Sequence, residues 1–95
     1  MAERIGLIGL GLVGCALAKR LIASGRAVVG FDIAPEACNR ATELGVEIAR
    51  SAAEVASETS TLLLSLPDSD VVTRLLWEEG LAEALRPGAL VVDTT

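Results

Sequence analysis

Residues 4–14 read Arg4-Ile5-Gly6-Leu7-Ile8-Gly9-Leu10-Gly11-Leu12-Val13-Gly14, and this stretch decides how the chain is organised. Ile5–Ile8 is a short apolar run closed by glycine, as expected of a parallel strand buried on both faces. Gly9, Gly11 and Gly14 form a G-x-G-x-x-G turn. Beyond it Val13, Leu17 and Leu21 recur four apart with Ala18 and Ile22 alongside, while Lys19, Arg20 and Ser24 take the other face. That spacing predicts an amphipathic helix from Val13 to Ser24, with Gly25 placed where a helix end favours glycine.

Alone, such a glycine triplet is a weak signal. Here it follows a strand, opens a helix, and is followed eighteen residues after Gly14 by Asp32, which ends the next apolar run, Ala27–Phe31. That context is the dinucleotide fingerprint. Gly9 allows the tight turn, Gly11 lets the backbone approach a pyrophosphate, and Gly14 lets the helix pack closely on the strand. Leu10 is expected to bind the cofactor as part of the same loop, and the phosphates are expected on the N–H groups of Leu12 and Val13, favoured by the helix dipole. Asp32 is expected to accept hydrogen bonds from the adenosine ribose and to repel a 2′-phosphate. Ile33, beside it, is counted with the cofactor-binding residues. No arginine adjoins Asp32: Ile33 and Ala34 follow, and Arg40 lies further along the next helix. NAD is therefore expected in preference to NADP.

Outward from this unit, strand-like and helix-like periods keep alternating. Pro35 opens a helix that runs to Leu44 and is closed by Gly45, Val46–Ile48 is a short strand, and Ser51 with Glu54 makes a capping-box spacing. Thr61–Leu66 is apolar on both faces and predicts a central strand, which Pro67 breaks. Asp68, Ser69 and Asp70 supply capping oxygen and acid for a helix carrying Val72, Leu75 and Leu76 on one face. Pro87-Gly88 marks a turn before a fifth strand, Ala89–Val92, ending at Asp93. The class is α/β, a Rossmann-type doubly wound parallel sheet of about five strands. Right-handed crossovers put all strand C-termini on one edge, where such sheets bind ligands.

Composition narrows the chemistry. The 95 residues carry 8 Lys plus Arg against 13 Asp plus Glu, a formal charge of −5, and only two aromatics, Phe31 and Trp77. Such a chain offers neither a basic surface nor a stacking platform for nucleic acid. With no His, a His-dependent triad and a His–metal site are both excluded. The hydrophobic share of 52% is far above that of a disordered chain, and the length allows one domain. Cys15 and Cys38 have no C-x-x-C spacing, so burial and a reducing cytoplasm are expected. A lipoprotein signal ending at Cys15 is disfavoured by Gly6, Gly9 and Gly11 within its apolar run, and no stretch is long enough for a membrane span. Lys19, the sole lysine, sits on a polar helix face as a solvated charge.

With these residues in place, the chain resembles the N-terminal NAD-binding domain of the β-hydroxyacid dehydrogenase family, which includes 3-hydroxyisobutyrate and 6-phosphogluconate dehydrogenases. Arg4 to Gly11 matches its first strand and glycine loop, Gly25 to Asp32 its second strand, and Ser65-Leu66-Pro67-Asp68-Ser69 the end of its fourth. Pro87-Gly88 through Asp93-Thr94-Thr95 is similar to the segment leading into its substrate motif. The resemblance implies hydride transfer between a nicotinamide cofactor and a small β-hydroxyacid substrate. It also implies that Leu66 and Pro67 line the nicotinamide-side ribose, that Val71 lies near the adenine, and that Thr95 touches substrate and nicotinamide. Val13 replaces a usual methionine, and Thr95 a usual serine.

In that family a lysine on a C-terminal helical domain acts as general acid/base. The expectation is thus a domain spanning residues 1–95, incomplete before a sixth strand, that binds dinucleotide and carries no catalytic residue and no metal. An imine reductase on the same scaffold stays open as a parent, and so does a regulatory NAD-sensing module. The edge of strand five is expected to invite self-association.

Overall fold

A computed structural model of the chain describes residues 4–78 and 80–94. Five parallel strands, β1 (Ile5–Ile8), β2 (Val28–Phe31), β3 (Glu47–Ile48), β4 (Thr61–Leu64) and β5 (Leu90–Asp93), form one sheet in the order β3-β2-β1-β4-β5. Between them run α1 (Leu12–Ala23), α2 (Pro35–Leu44), α3 (Ala52–Glu58) and α4 (Ser69–Thr73), the last continuing as a π turn over Arg74–Glu78. A short α5 (Leu81–Ala84), which the periodicity does not register, precedes β5 and buries Leu81 completely. The Rossmann-type α/β class read from the sequence is the fold observed.

Each β1 residue is buried, and successive side chains leave on opposite faces. Leu7 joins Val28, Ala18, Ala37, Ala41 and Val46 in a core with α1 and α2. Ile8 joins Val29, Val55, Leu62 and Leu64 in a second core with α3, α4 and α5. Two covered faces explain why these strands read as continuous apolar runs.

Local signals set the boundaries. α2 starts with Pro35 in its first turn and ends where the N–H groups of Gly45 and Val46 donate to the carbonyls of Thr42 and Ala41, with Gly45 at φ 101°. This closure draws Val46 into the core, so the third strand keeps only Glu47 and Ile48 of the three residues expected. The fourth strand is also shorter than the run Thr61–Leu66. Ser65 still bonds β1, N–H to the Ile8 carbonyl at 2.9 Å, before the chain turns away at Pro67. Ser51 caps α3 by accepting from the Glu54 N–H at 3.1 Å, and Asp68 caps α4 by accepting from the Val71 N–H at 3.0 Å. The cysteines are half-buried rather than buried, since each thiol reaches a backbone carbonyl at the helix–sheet margin. Among the described residues, no helix is long and apolar enough to cross a membrane.

Candidate functional site

The first three strands wind outward to one side of β1, while β4 and β5 lie on the other. The loops after β1 and β4 therefore part at the sheet's C-terminal edge, the crevice where open α/β sheets take ligands. Register holds that edge level: Ile8 pairs with both Phe31 and Leu64, and Leu64 with Asp93. Above it lies a groove of about 850 Å³.

Its floor is a joint without side chains. Gly9 has φ 99°, and a Cβ there would lie 2.0 Å from the Ser65 carbonyl oxygen. A Cβ on Gly14 would lie 2.0 Å from the Gly9 carbonyl oxygen. The glycine loop is thus pressed between the start of α1 and the end of β4. Gly11 differs: its φ of −74° suits any residue, and a Cβ would meet nothing within 4 Å. Nothing in the folded chain requires a glycine there, and its absent side chain leaves the backbone open to the groove.

The start of α1 is prepared for an anion. The first helical bond runs from the Cys15 N–H to the Gly11 carbonyl at 2.8 Å, so the N–H groups of Leu12, Val13 and Gly14 precede the ladder. Gly11 offers no side-chain cap, and no acid occupies the first turn. The positive end of the helix dipole stays uncompensated beside the open groove. Leu12, 88% exposed, and Val13, 60% exposed, line it.

Asp32 stands at the rim, beyond the end of β2. One carboxylate oxygen accepts from the Leu10 N–H at 2.7 Å and the other from the Ala34 N–H at 2.9 Å. These bonds fix the carboxylate and tie the second loop to the first. A carboxylate has about four acceptor sites, so two remain for ligand hydroxyls.

Of the residues singled out from sequence, Gly9, Gly11, Leu12, Val13, Asp32, Ile33, Leu66, Pro67 and Val71 all border this groove. Gly14 lies beneath it, as its packing requires. Leu10 is placed elsewhere: its side chain is fully buried in the α1–α2 core, and its N–H is taken by Asp32. Thr95 lies outside the described residues. The sequence reading missed Ser51, Ala52 and Ala53 at the start of α3, and Arg74 on the groove wall. Arg74 follows Val71 by three, so both share one helix face, but that this face borders the groove depends on where β4 sits in the sheet. Among the described residues no acid, thiol or imidazole cluster has the makings of a metal site. The open cradle at Gly11, the unpaired N–H groups and the fixed carboxylate fit a dinucleotide.

Comparison with known proteins agrees. Residues 4–95 match the family described as the NAD binding domain of 6-phosphogluconate dehydrogenase. A probable mitochondrial 3-hydroxyisobutyrate dehydrogenase of Dictyostelium discoideum is 37% identical over 95 residues, covering 99% of this chain and 30% of that protein. The structure of Mycobacterium tuberculosis 3-hydroxyisobutyrate dehydrogenase with L-serine superposes with a TM-score of 0.91 at 35% identity, over 99% of this chain and 32% of that one. An imine reductase variant from Myxococcus stipitatus, in complex with NAD+, gives 0.90 at 25% identity over 100% of this chain and 32% of that one. The chain spans about 30% of the length of the curated relatives it matches. With its glycine loop, anchored acid and parallel sheet, it belongs to the family of NAD-binding domains found in 6-phosphogluconate dehydrogenase.

Proposed function

We propose that this chain is the cofactor-binding part of an oxidoreductase that moves hydride between a nicotinamide and a small β-hydroxyacid, in the manner of 3-hydroxyisobutyrate dehydrogenases. The observation that carries the cofactor assignment is the Asp32 carboxylate, fixed by two backbone N–H groups beside the uncapped start of α1. In this reading the N–H groups of Leu12 and Val13 hold the pyrophosphate. Asp32 accepts from the adenosine ribose, with Ile33 beside it. Leu66 and Pro67 flank the nicotinamide-side ribose, Val71 lies by the adenine, and Thr95 offers its hydroxyl near the substrate. When bound, the nicotinamide supplies the hydride chemistry.

Substrate recognition and proton transfer are assigned to the remainder of a longer parent protein, on the helical domain and lysine that the family resemblance implies. An imine reductase is the second reading, favoured by the Myxococcus superposition, and it leaves the cofactor assignment unchanged. The free thiols of Cys15 and Cys38 support a reducing compartment such as the cytoplasm.

Isothermal titration is expected to show NADH binding at least about tenfold tighter than NADPH, about 1.4 kcal/mol. In Asp32→Asn the ratio is expected to fall toward unity; equal affinities in the parent chain overturn the role given to Asp32. A second expectation concerns the outer edge of β5, where Leu90 is 59% exposed. Among the described residues that edge pairs with no further strand, and an edge of this kind favours pairing between copies. Sedimentation at rising concentration is expected to show self-association, and a monomer throughout would contradict it.

A further inference from the structure

One cation on the groove wall has no role in the reading above. Arg74 begins the π turn that follows α4, and it is exposed. Among the described residues the ion pairs are made by Arg4 alone, with Glu47 and Glu58. Asp70 lies four residues before Arg74, an acid-first spacing that ordinarily forms a helical ion pair, yet none is formed. Lacking an acidic partner is common to the described basic side chains other than Arg4; what sets Arg74 apart is that it alone among them lines this groove. The change from α to π hydrogen bonding at this residue re-aims the helix face locally, a device that recurs at functional sites.

The strand order identifies what Arg74 faces. β2 and β4 flank β1, so Ile33 after β2 and Val71 with Arg74 after β4 stand on opposite sides of the glycine loop, lining one groove. Ile33 is 90% exposed, a large apolar side chain with no partner in the fold. Its neighbour Asp32 marks the ribose end of the groove, so the slot between Ile33 and Arg74 adjoins the adenosine half. A purine there needs flat, apolar or π-stacking walls. Ile33 and Val71 give the apolar ones. Among the described side chains the groove's one aromatic is Phe31, half-buried against the core at the strand end. The remaining planar group is the Arg74 guanidinium, which stacks on aromatic faces as lysine does not.

We propose that Arg74 is a binding residue for the adenine ring, stacking its guanidinium on the base while Ile33 covers the other side. This rests on the dinucleotide reading of the groove and adds a residue to it. The role is stacking rather than recognition of a 2′-phosphate, because Asp32 repels a phosphate at that position.

The test is titration of the parent chain, Arg74→Ala and Arg74→Lys with ADP-ribose, NADH and NADPH at low and high salt. Binding of ADP-ribose and NADH by the parent chain checks the underlying reading by itself; failure there sinks that reading and not merely the stack. Given binding, Arg74→Ala is expected to weaken all three ligands by a similar factor, about tenfold on the scale of base stacking. Arg74→Lys, which keeps the charge and loses the plane, is expected to fall with the alanine variant, and the loss is expected to persist at high salt. Unchanged ADP-ribose affinity in Arg74→Ala overturns the proposal. So does a loss confined to NADPH, or full retention by Arg74→Lys, since either result assigns Arg74 to phosphate charge. Thermal melts of both variants, expected to match the parent, separate lost binding from lost fold.

Discussion

Gly11→Ala is expected to fold as the parent chain does and to lose dinucleotide affinity by about 100-fold, about 2.7 kcal/mol. The two halves of this expectation have different causes. Gly11 has φ −74° and open space where a Cβ would sit, so alanine introduces neither strain nor a clash. Alanine is a poorer helix N-cap than glycine, but it also narrows the unfolded ensemble; each effect is below about 1 kcal/mol and they oppose one another. The methyl group instead occupies the volume in which a pyrophosphate would approach the N–H groups of Leu12 and Val13. Titration with NADH beside a thermal melt reads both halves. Undiminished affinity would show that the ligand does not lie on this backbone.

Gly9→Ala is the opposite case. Here the Cβ meets the Ser65 carbonyl oxygen at 2.0 Å and the backbone sits at φ 99°, a region that disfavours L side chains. Overpacking against backbone costs about 1–3 kcal/mol, and the strained dihedral adds about 1–3 kcal/mol. For a domain of this size a combined loss of about 3 kcal/mol or more lowers the melting temperature by about 12 °C or more. Circular dichroism on heating measures it. A melt within about 3 °C of the parent would mean that the loop and the end of β4 can part at little cost. Gly14→Ala strikes the Gly9 carbonyl oxygen, so the two substitutions load one joint. Their effects are expected not to add.

Much of this was legible in the residues because the signals are local. The strand, glycine turn, helix and acid are set by side-chain period and turn chemistry within residues 5–32, and neither needs a distant partner to be read. Leu10 shows the limit of a motif read as a string. Its neighbours Gly9 and Gly11 both border the groove, but at Leu10 the side chain turns into the core while the N–H secures Asp32. The third strand shortened because Val46 was claimed by the closure of α2, a tertiary outcome that apolar character alone does not foretell. Arg74 was missed for a related reason. A helix reading with Val72, Leu75 and Leu76 buried leaves Arg74 on the solvent side, and whether that side is also a groove wall depends on where β4 sits in the sheet. The widening to a π turn has no signature in an apolar period of three and four.

The joint formed by Gly9, Gly14 and Ser65 has a consequence for how such a domain can change. It presses the glycine loop between the start of α1 and the end of β4 chiefly through backbone contact, so its integrity depends little on the side chains around the rim. Ile33, Val71 and Arg74 stand outside it and share no hydrogen bond with it among those described. Substitutions at these rim positions are therefore expected to leave the stability held in the joint intact. Asp32 is the exception, because its two backbone bonds hold the loops themselves. The fold thus tolerates most change at Ile33 and Arg74, and least at the acid.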